Sequence, residues 1–147
     1  MPWTTNLLVI ANRTVDSEEL LHTLRVRASA GPIRVTLVVP GDARRIAAAA
    51  RLEHAIERLR SEEIAVEGIV GHPDPLVAVE EVWDPRRFDE VIVATLPTDV
   101  SRWMALDLPR RIARFTGARV SHVVAATPGQ SSRPRPTAGS GAVRTRA

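Results

Sequence analysis

Five short apolar runs recur along the chain at near-regular intervals, and the segments between them carry helical patterns rather than tight-turn signals. The runs are "NLLVIA" (Asn6–Ala11), "IRVTLVVP" (Ile33–Pro40), "IAVEGIVG" (Ile64–Gly71), "DEVIVAT" (Asp89–Thr95) and "ARVSHVVAA", which starts at Ala118. Near-continuous apolar runs of strand length are typical of strands buried on both faces. Two strands separated by a helix pair in parallel, because a hairpin has no room for one. The order β-α-β-α-β-α-β-α-β therefore predicts an α/β fold, with a five-stranded parallel sheet covered on both sides. Right-handed crossovers make a doubly wound sheet the simplest outcome.

The helical segments carry their own boundary signals. Asp16 is placed to cap the first helix, with Glu19 reaching back as a capping box and Leu20, Leu21 and Leu24 on the inner face. Asp42 follows Pro40-Gly41 and is expected to cap the longest helix. In that helix Ile46, Ala49, Leu52, Ile56 and Leu59 recur at three and four, predicting one buried stripe. Asp74-Pro75 is an N-cap with a first-turn proline before "LVAVEEVW". Leu108–Thr116 reads as a last helix stopped by Gly117.

A chain of 147 residues suits one domain, expected over residues 1–126. Residues 127–147, "TPGQSSRPRPTAGSGAVRTRA", hold little to bury and are expected to form a disordered basic tail. The net charge of +3 invites a nucleic-acid reading, but its distribution argues against one. All 20 basic residues are Arg; four of them lie in the tail, and the remaining sixteen face 17 acids. The domain is thus close to neutral, and nucleic acid is a disfavoured partner. The absence of Cys excludes disulfides and thiolate metal sites and fits a cytoplasmic protein. No signal peptide and no membrane-spanning run are expected, since the start lacks a basic n-region and no apolar run is long enough.

In doubly wound sheets ligands sit beyond the carboxyl ends of the strands, where the winding direction reverses. That rule points to the loops Ala11–Asp16, Pro40–Asp42 and Thr95–Asp107. Taken together in order, "NLLVIANRTVDSEELL", "GIVGHPDPLVAVEEV" and "FDEVIVAT" with "ARVSHVV" resemble the universal stress protein family over residues 5–126. The resemblance implies an adenine nucleotide alpha hydrolase-like sheet of order 3-2-1-4-5. It also implies a homodimer formed through the last strand, with Val120, His122 and Val124 as interface candidates, and a regulatory or stress-response role.

The ATP-binding branch of that family carries Gly-x2-Gly-x9-Gly-[Ser/Thr] after the fourth strand. Here the first two glycines are matched by Ala94 and Pro97, and the closing pair by Leu106-Asp107 or Asp107-Leu108. The family's acidic residue after the first strand is matched by Asn12. Phosphate loops need glycine so that backbone N–H groups can turn toward the anion. Pro97 has no N–H to offer, and Pro109 removes another near the helix start. Asp107 is expected to cap that helix with its carboxylate and to repel phosphate. Two like charges about 4 Å apart at a surface-like dielectric repel by roughly 4 kcal/mol, against about 8 kcal/mol for a micromolar complex. ATP or another adenine nucleotide is therefore a disfavoured cofactor, and none is expected.

The reading that follows is a non-enzymatic domain acting by dimerisation or by binding a protein partner. The alternative is a small-molecule binder for a nucleoside or nucleotide in the same crevice. Its candidate contacts are Ala11, Asn12, Val39, Thr95, Thr98, Ser101, Arg102, Trp103 and Asp107. For several of these a plainer role competes. Trp103 can roof the sheet with Met104 and Leu106, and Arg102 can pair with Asp99 or Asp107. His22, His54, His72 and His122 stand on separate elements, with no metal-ligand spacing and no Ser/His/Asp set. No residue pattern argues for catalysis.

Overall fold

The computed structural model describes residues 3–11, 14–41, 45–95 and 107–124. The expected cap Asp42, the tail 127–147 and the loop positions Asn12, Pro97, Thr98, Ser101, Arg102 and Trp103 lie outside the described residues.

The elements run β1 (Thr5–Ala11), α1 (Glu18–Ala30), β2 (Ile33–Pro40), α2 (Arg45–Ser61), β3 (Ala65–Gly71), α3 (Pro75–Val82), β4 (Glu90–Thr95), α4 (Leu108–Thr116) and β5 (Arg119–Val124). All four strand pairings are parallel, and the sheet order is β3-β2-β1-β4-β5. β1 is central, and residues Leu7 to Ala11 have no solvent exposure.

Two separate apolar layers flank the sheet. On one face Leu7, Val9, Val35, Leu37 and Ile92 pack against Leu20 and Leu24 of α1 and Leu52 and Leu59 of α2. On the other, Leu8, Ile10, Val38, Val91 and Val93 pack against Ala78 and Val79 of α3 and Leu108 and Ile112 of α4. Successive strand residues point to opposite faces, so one apolar run serves both layers. The doubly wound expectation holds.

Several local expectations do not. The first helix is capped by Ser17, whose hydroxyl accepts the Leu20 N–H at 3.2 Å. Asp16 lies one residue too early to cap, and its carboxylate faces His54 Nδ1 at 3.2 Å. The buried stripe of α2 is Ala48, Leu52, Ala55 and Leu59, while Ile46 is 88% exposed and Ala49 is also exposed. Small residues toward the sheet let this helix approach closely. A Cβ placed on Gly68 of β3 would lie 2.8 Å from Leu52 and Ile56 side-chain carbons. The third and fifth strands are less buried than their apolar composition implies, because each forms an edge of the sheet.

Two further boundary signals act as expected. Asp74 accepts the Leu76 and Val77 amides at the start of α3, with Pro75 in its first turn. Gly117 ends α4 at φ 69°, its N–H bonded to the Ala113 carbonyl at 2.8 Å. That left-handed conformation suits glycine, which lacks the Cβ that crowds other residues there.

Candidate functional site

Winding reverses between β1 and β4, so the crevice lies where these strands end, at Ala11 and at Ala94-Thr95. Ala11 pairs directly with Ala94 across this seam. The chain leaving β1 is fastened to β4 by Thr14, whose buried hydroxyl donates to the Ala94 carbonyl at 2.9 Å. The Thr14 carbonyl in turn accepts the Ser17 N–H at 3.0 Å, which sets the turn into α1. At the neighbouring strand ends, the Gly41 N–H donates to the Gly71 carbonyl at 2.9 Å.

Of the sequence-predicted contact residues, Ala11 and Val39 are fully buried, with side chains packed in the α1/α2 layer. Only their backbone groups can face a ligand. Thr95 is buried too, and its hydroxyl is hydrogen-bonded to His122 Nε2 at 2.8 Å. The structure thus joins a residue expected at the crevice to one expected at the dimer edge. Burial of part of the ring holds the His122 imidazole below the usual histidine pKa, since desolvation penalises the charged form.

Asp107 corrects an expectation. It precedes α4 with φ 54° and ψ 40°, a left-handed conformation, and its side chain accepts no capping hydrogen bond. Ordinary N-caps have extended backbone, which aims the side chain at the first-turn amides. At Asp107 the carboxylate lies 3.8 Å from Arg110 Nε instead. The negative charge still stands at the head of a helix that opens with Leu108 and Pro109. The helix amides are not consumed by Asp107, but its carboxylate still opposes an anion.

Val120, His122 and Val124 project from one face of β5, in register with Val91, Val93 and Thr95 of β4. Val120 packs against the α3/α4 layer, whereas Val124 is 46% exposed. Among the described residues β5 pairs only with β4, which leaves one row of backbone groups open at the sheet edge.

Sequence reasoning missed Thr14. Its type is common in turns, and its partner is a carbonyl 80 positions away, so nothing local marks it. Among the described residues no group of three or more His, Asp or Glu is arranged to hold a metal ion, and no helix is long and apolar enough to cross a membrane. Compared with known proteins, the chain matches no family model, and no curated protein matches it.

Proposed function

We propose that this chain is a non-enzymatic domain of universal-stress-protein type that acts as a homodimer through β5 and does not bind ATP in the manner of that family. The observation that carries the reading is the chemistry of the crevice floor. Where the family signature needs flexible glycines, this chain has Ala94, whose side chain is packed in the core, and Pro97. Where it needs a Ser or Thr beside the phosphates, Asp107 or its neighbour stands, with the Asp107 carboxylate at the helix start. Alanine restricts positive φ, proline removes a donor, and the carboxylate repels a polyphosphate. These residues do not fit a triphosphate.

The dimer reading is supported by the open edge of β5 and by exposed Val124. Edge strands of this kind pair with another chain unless they are covered or charged. A regulatory role follows from partner binding rather than turnover. Isothermal titration with ATP, ADP and AMP, alongside sedimentation velocity, tests both halves. No heat at micromolar protein, together with a dimer that a charged substitution at Val124 dissociates, is the expected result. Micromolar ATP binding by the unsubstituted chain overturns the first half, and a monomer at all concentrations overturns the second. Binding of adenosine or AMP alone favours a small-molecule role for the same crevice.

A further inference from the structure

At the opposite end of the strands, the α3/α4 face of the sheet changes character. In its carboxyl-terminal half that face presents Leu8, Ile10 and Val38. In its amino-terminal half the same alternation presents Asn6, Arg34, Thr36 and Glu67. Asn6 is the cross-strand partner of Arg34, and Thr36 is the partner of Glu67. The change has a simple cause. α3 has 8 residues, about 12 Å at 1.5 Å per residue, and β2 has 8 residues, about 26 Å at 3.3 Å per residue. The helix cannot cover the strand, and the turn that follows it brings Arg86 and Arg87 over the gap. The result is a cleft of about 210 Å³ lined by these residues and Phe88.

We propose that this cleft is a binding site for a phosphate group, free or carried on a small hydroxylated molecule. Three arginines and one glutamate line it, so the lining carries an excess of two positive charges, a match for a phosphate dianion. Most of their donors are unspent. Arg34 makes no side-chain hydrogen bond or ion pair among the described residues. Arg86 is 93% exposed and reaches Asp84 only at 4.0 Å. Arg87 lies over the Phe88 ring, 5.3 Å from its centroid, with Glu67 at 3.4 Å. A guanidinium has five N–H donors in a fixed fork that matches phosphate oxygens two at a time.

The acids nearby have assigned partners. Glu67 steadies Arg87 and accepts the Thr36 hydroxyl at 3.4 Å. Asp89 accepts the Asn6 N–H at 2.8 Å on the adjoining rung. Glu67 and Asn6 are also the groups that would meet a ligand hydroxyl, one as acceptor and the other as both donor and acceptor. The carboxyl end of α3 faces the same edge, and its dipole favours cations. That alone explains an arginine near its end, but not Arg34 on β2, which is unpaired among the described residues. The volume is below that of drug-sized pockets, which restricts the ligand to a small molecule. Because the cleft lies at the far end of the strands, it stands or falls independently of the crevice and the dimer edge.

The test is an NMR titration of the full chain with inorganic phosphate and, separately, with glycerol 3-phosphate, chloride being varied to hold ionic strength constant. The expected result is saturable shifts confined to the amides of Asn6, residues 34–36, Glu67 and residues 86–88, and to the Arg34 and Arg87 Nε–H signals. Arg34→Gln and Arg87→Gln each weaken binding at least tenfold while the remaining spectrum is preserved, and Glu67→Gln tightens it for inorganic phosphate. Tighter binding of glycerol 3-phosphate identifies an organic phosphate as the ligand, and equal binding identifies the free ion. Non-saturating shifts, or shifts spread equally over surface arginines such as Arg60 and Arg114, overturn the proposal.

Discussion

The hydroxyl of Thr95 and Nε2 of His122 lie 2.8 Å apart, bridging the last residue of β4 and the middle of β5. The pair ties the outermost strand to the sheet at the end where the crevice opens. It also gives that strand a pH dependence of known sign. His122 has a folded pKa below its ordinary value of 6.5 because part of the ring is desolvated. The unfolded chain therefore takes up the proton first, so the stabilisation from neutral His122 is complete above the unfolded value and is lost as pH falls from there through the lower folded value. The histidine signal in an NMR titration should have its midpoint below 6.5, and denaturant midpoints should fall as pH drops from the usual histidine value toward that midpoint. Thr95→Val should cost about 1 kcal/mol by removing the hydrogen bond and should leave the direction of that pH dependence unchanged, because burial of the ring sets it.

The left-handed backbone at Asp107 separates two roles for this residue. Asp tolerates such a φ better than alanine does, and glycine adopts it without strain. Asp107→Ala should destabilise the fold by about 1 kcal/mol, while Asp107→Gly should be close to neutral. If Asp107 acted as an ordinary side-chain cap, Asp107→Ser would be close to neutral, whereas the left-handed backbone makes it about as costly as Asp107→Ala. Thermal or urea unfolding of the three variants distinguishes these outcomes.

Arg27 of α1 and Glu90 of β4 form an ion pair with side-chain exposures of 29% and 19%. The second carboxylate oxygen of Glu90 is buried with no hydrogen-bond partner among the described residues. Removing the arginine strands a partly buried charge, so Arg27→Ala should cost about 2 kcal/mol, somewhat below the range for fully buried pairs. Arg25 and Glu62, in contact at 2.8 Å but both well exposed, should contribute little when tested in the same way. Urea unfolding of Arg27→Ala and Arg25→Ala gives the comparison.

The packing of α2 on β3 leaves no space at Gly68. Gly68→Val should destabilise by about 2 kcal/mol through overpacking against Leu52 and Ile56. Leu52→Ala should cost about 3 kcal/mol. Ile46→Ala should fall within about 0.5 kcal/mol of zero, because Ile46 is 88% exposed. Denaturant midpoints of the three variants check the orientation of the helix directly.

That last contrast also marks how far sequence reading reaches. The buried strands were legible because five consecutive residues from Leu7 to Ala11 are apolar and four of them are bulky, unlike the alanine-rich run Ile46–Ala50 on a largely exposed helix. The strand order followed from family resemblance, since periodicity carries no information about neighbours across a sheet. The rotation of α2 was obscured by the alanines at 47–50, which give nearly equal apolar character to several faces. Ser17 and Asp16 are adjacent residues of equal capping ability, so only the backbone chooses between them. The αL state of Asp107 and the long-range bond of Thr14 are tertiary facts with no local signature. The polar face of the amino-terminal cleft was legible in part, as the alternation of Arg34 and Thr36 with Ile33, Val35 and Leu37. The run of valines beside it masks the pattern.

The central position of β1 shapes how the chain reaches this structure. Its partner β2 follows after a single helix, and β2 meets β3 over a similarly short loop, with Thr36 and Glu67 only 31 positions apart. The bond between Asn6 and Asp89 on the other side of β1 spans 83 positions. Closing the longer loop costs more chain entropy before any contact repays it. The β1–β2–β3 half can therefore assemble with α1 and α2 first, and β4 docks late against an exposed flank of β1. The seam at which the winding reverses is thus the pairing that closes the longest stretch of chain among the four in the sheet.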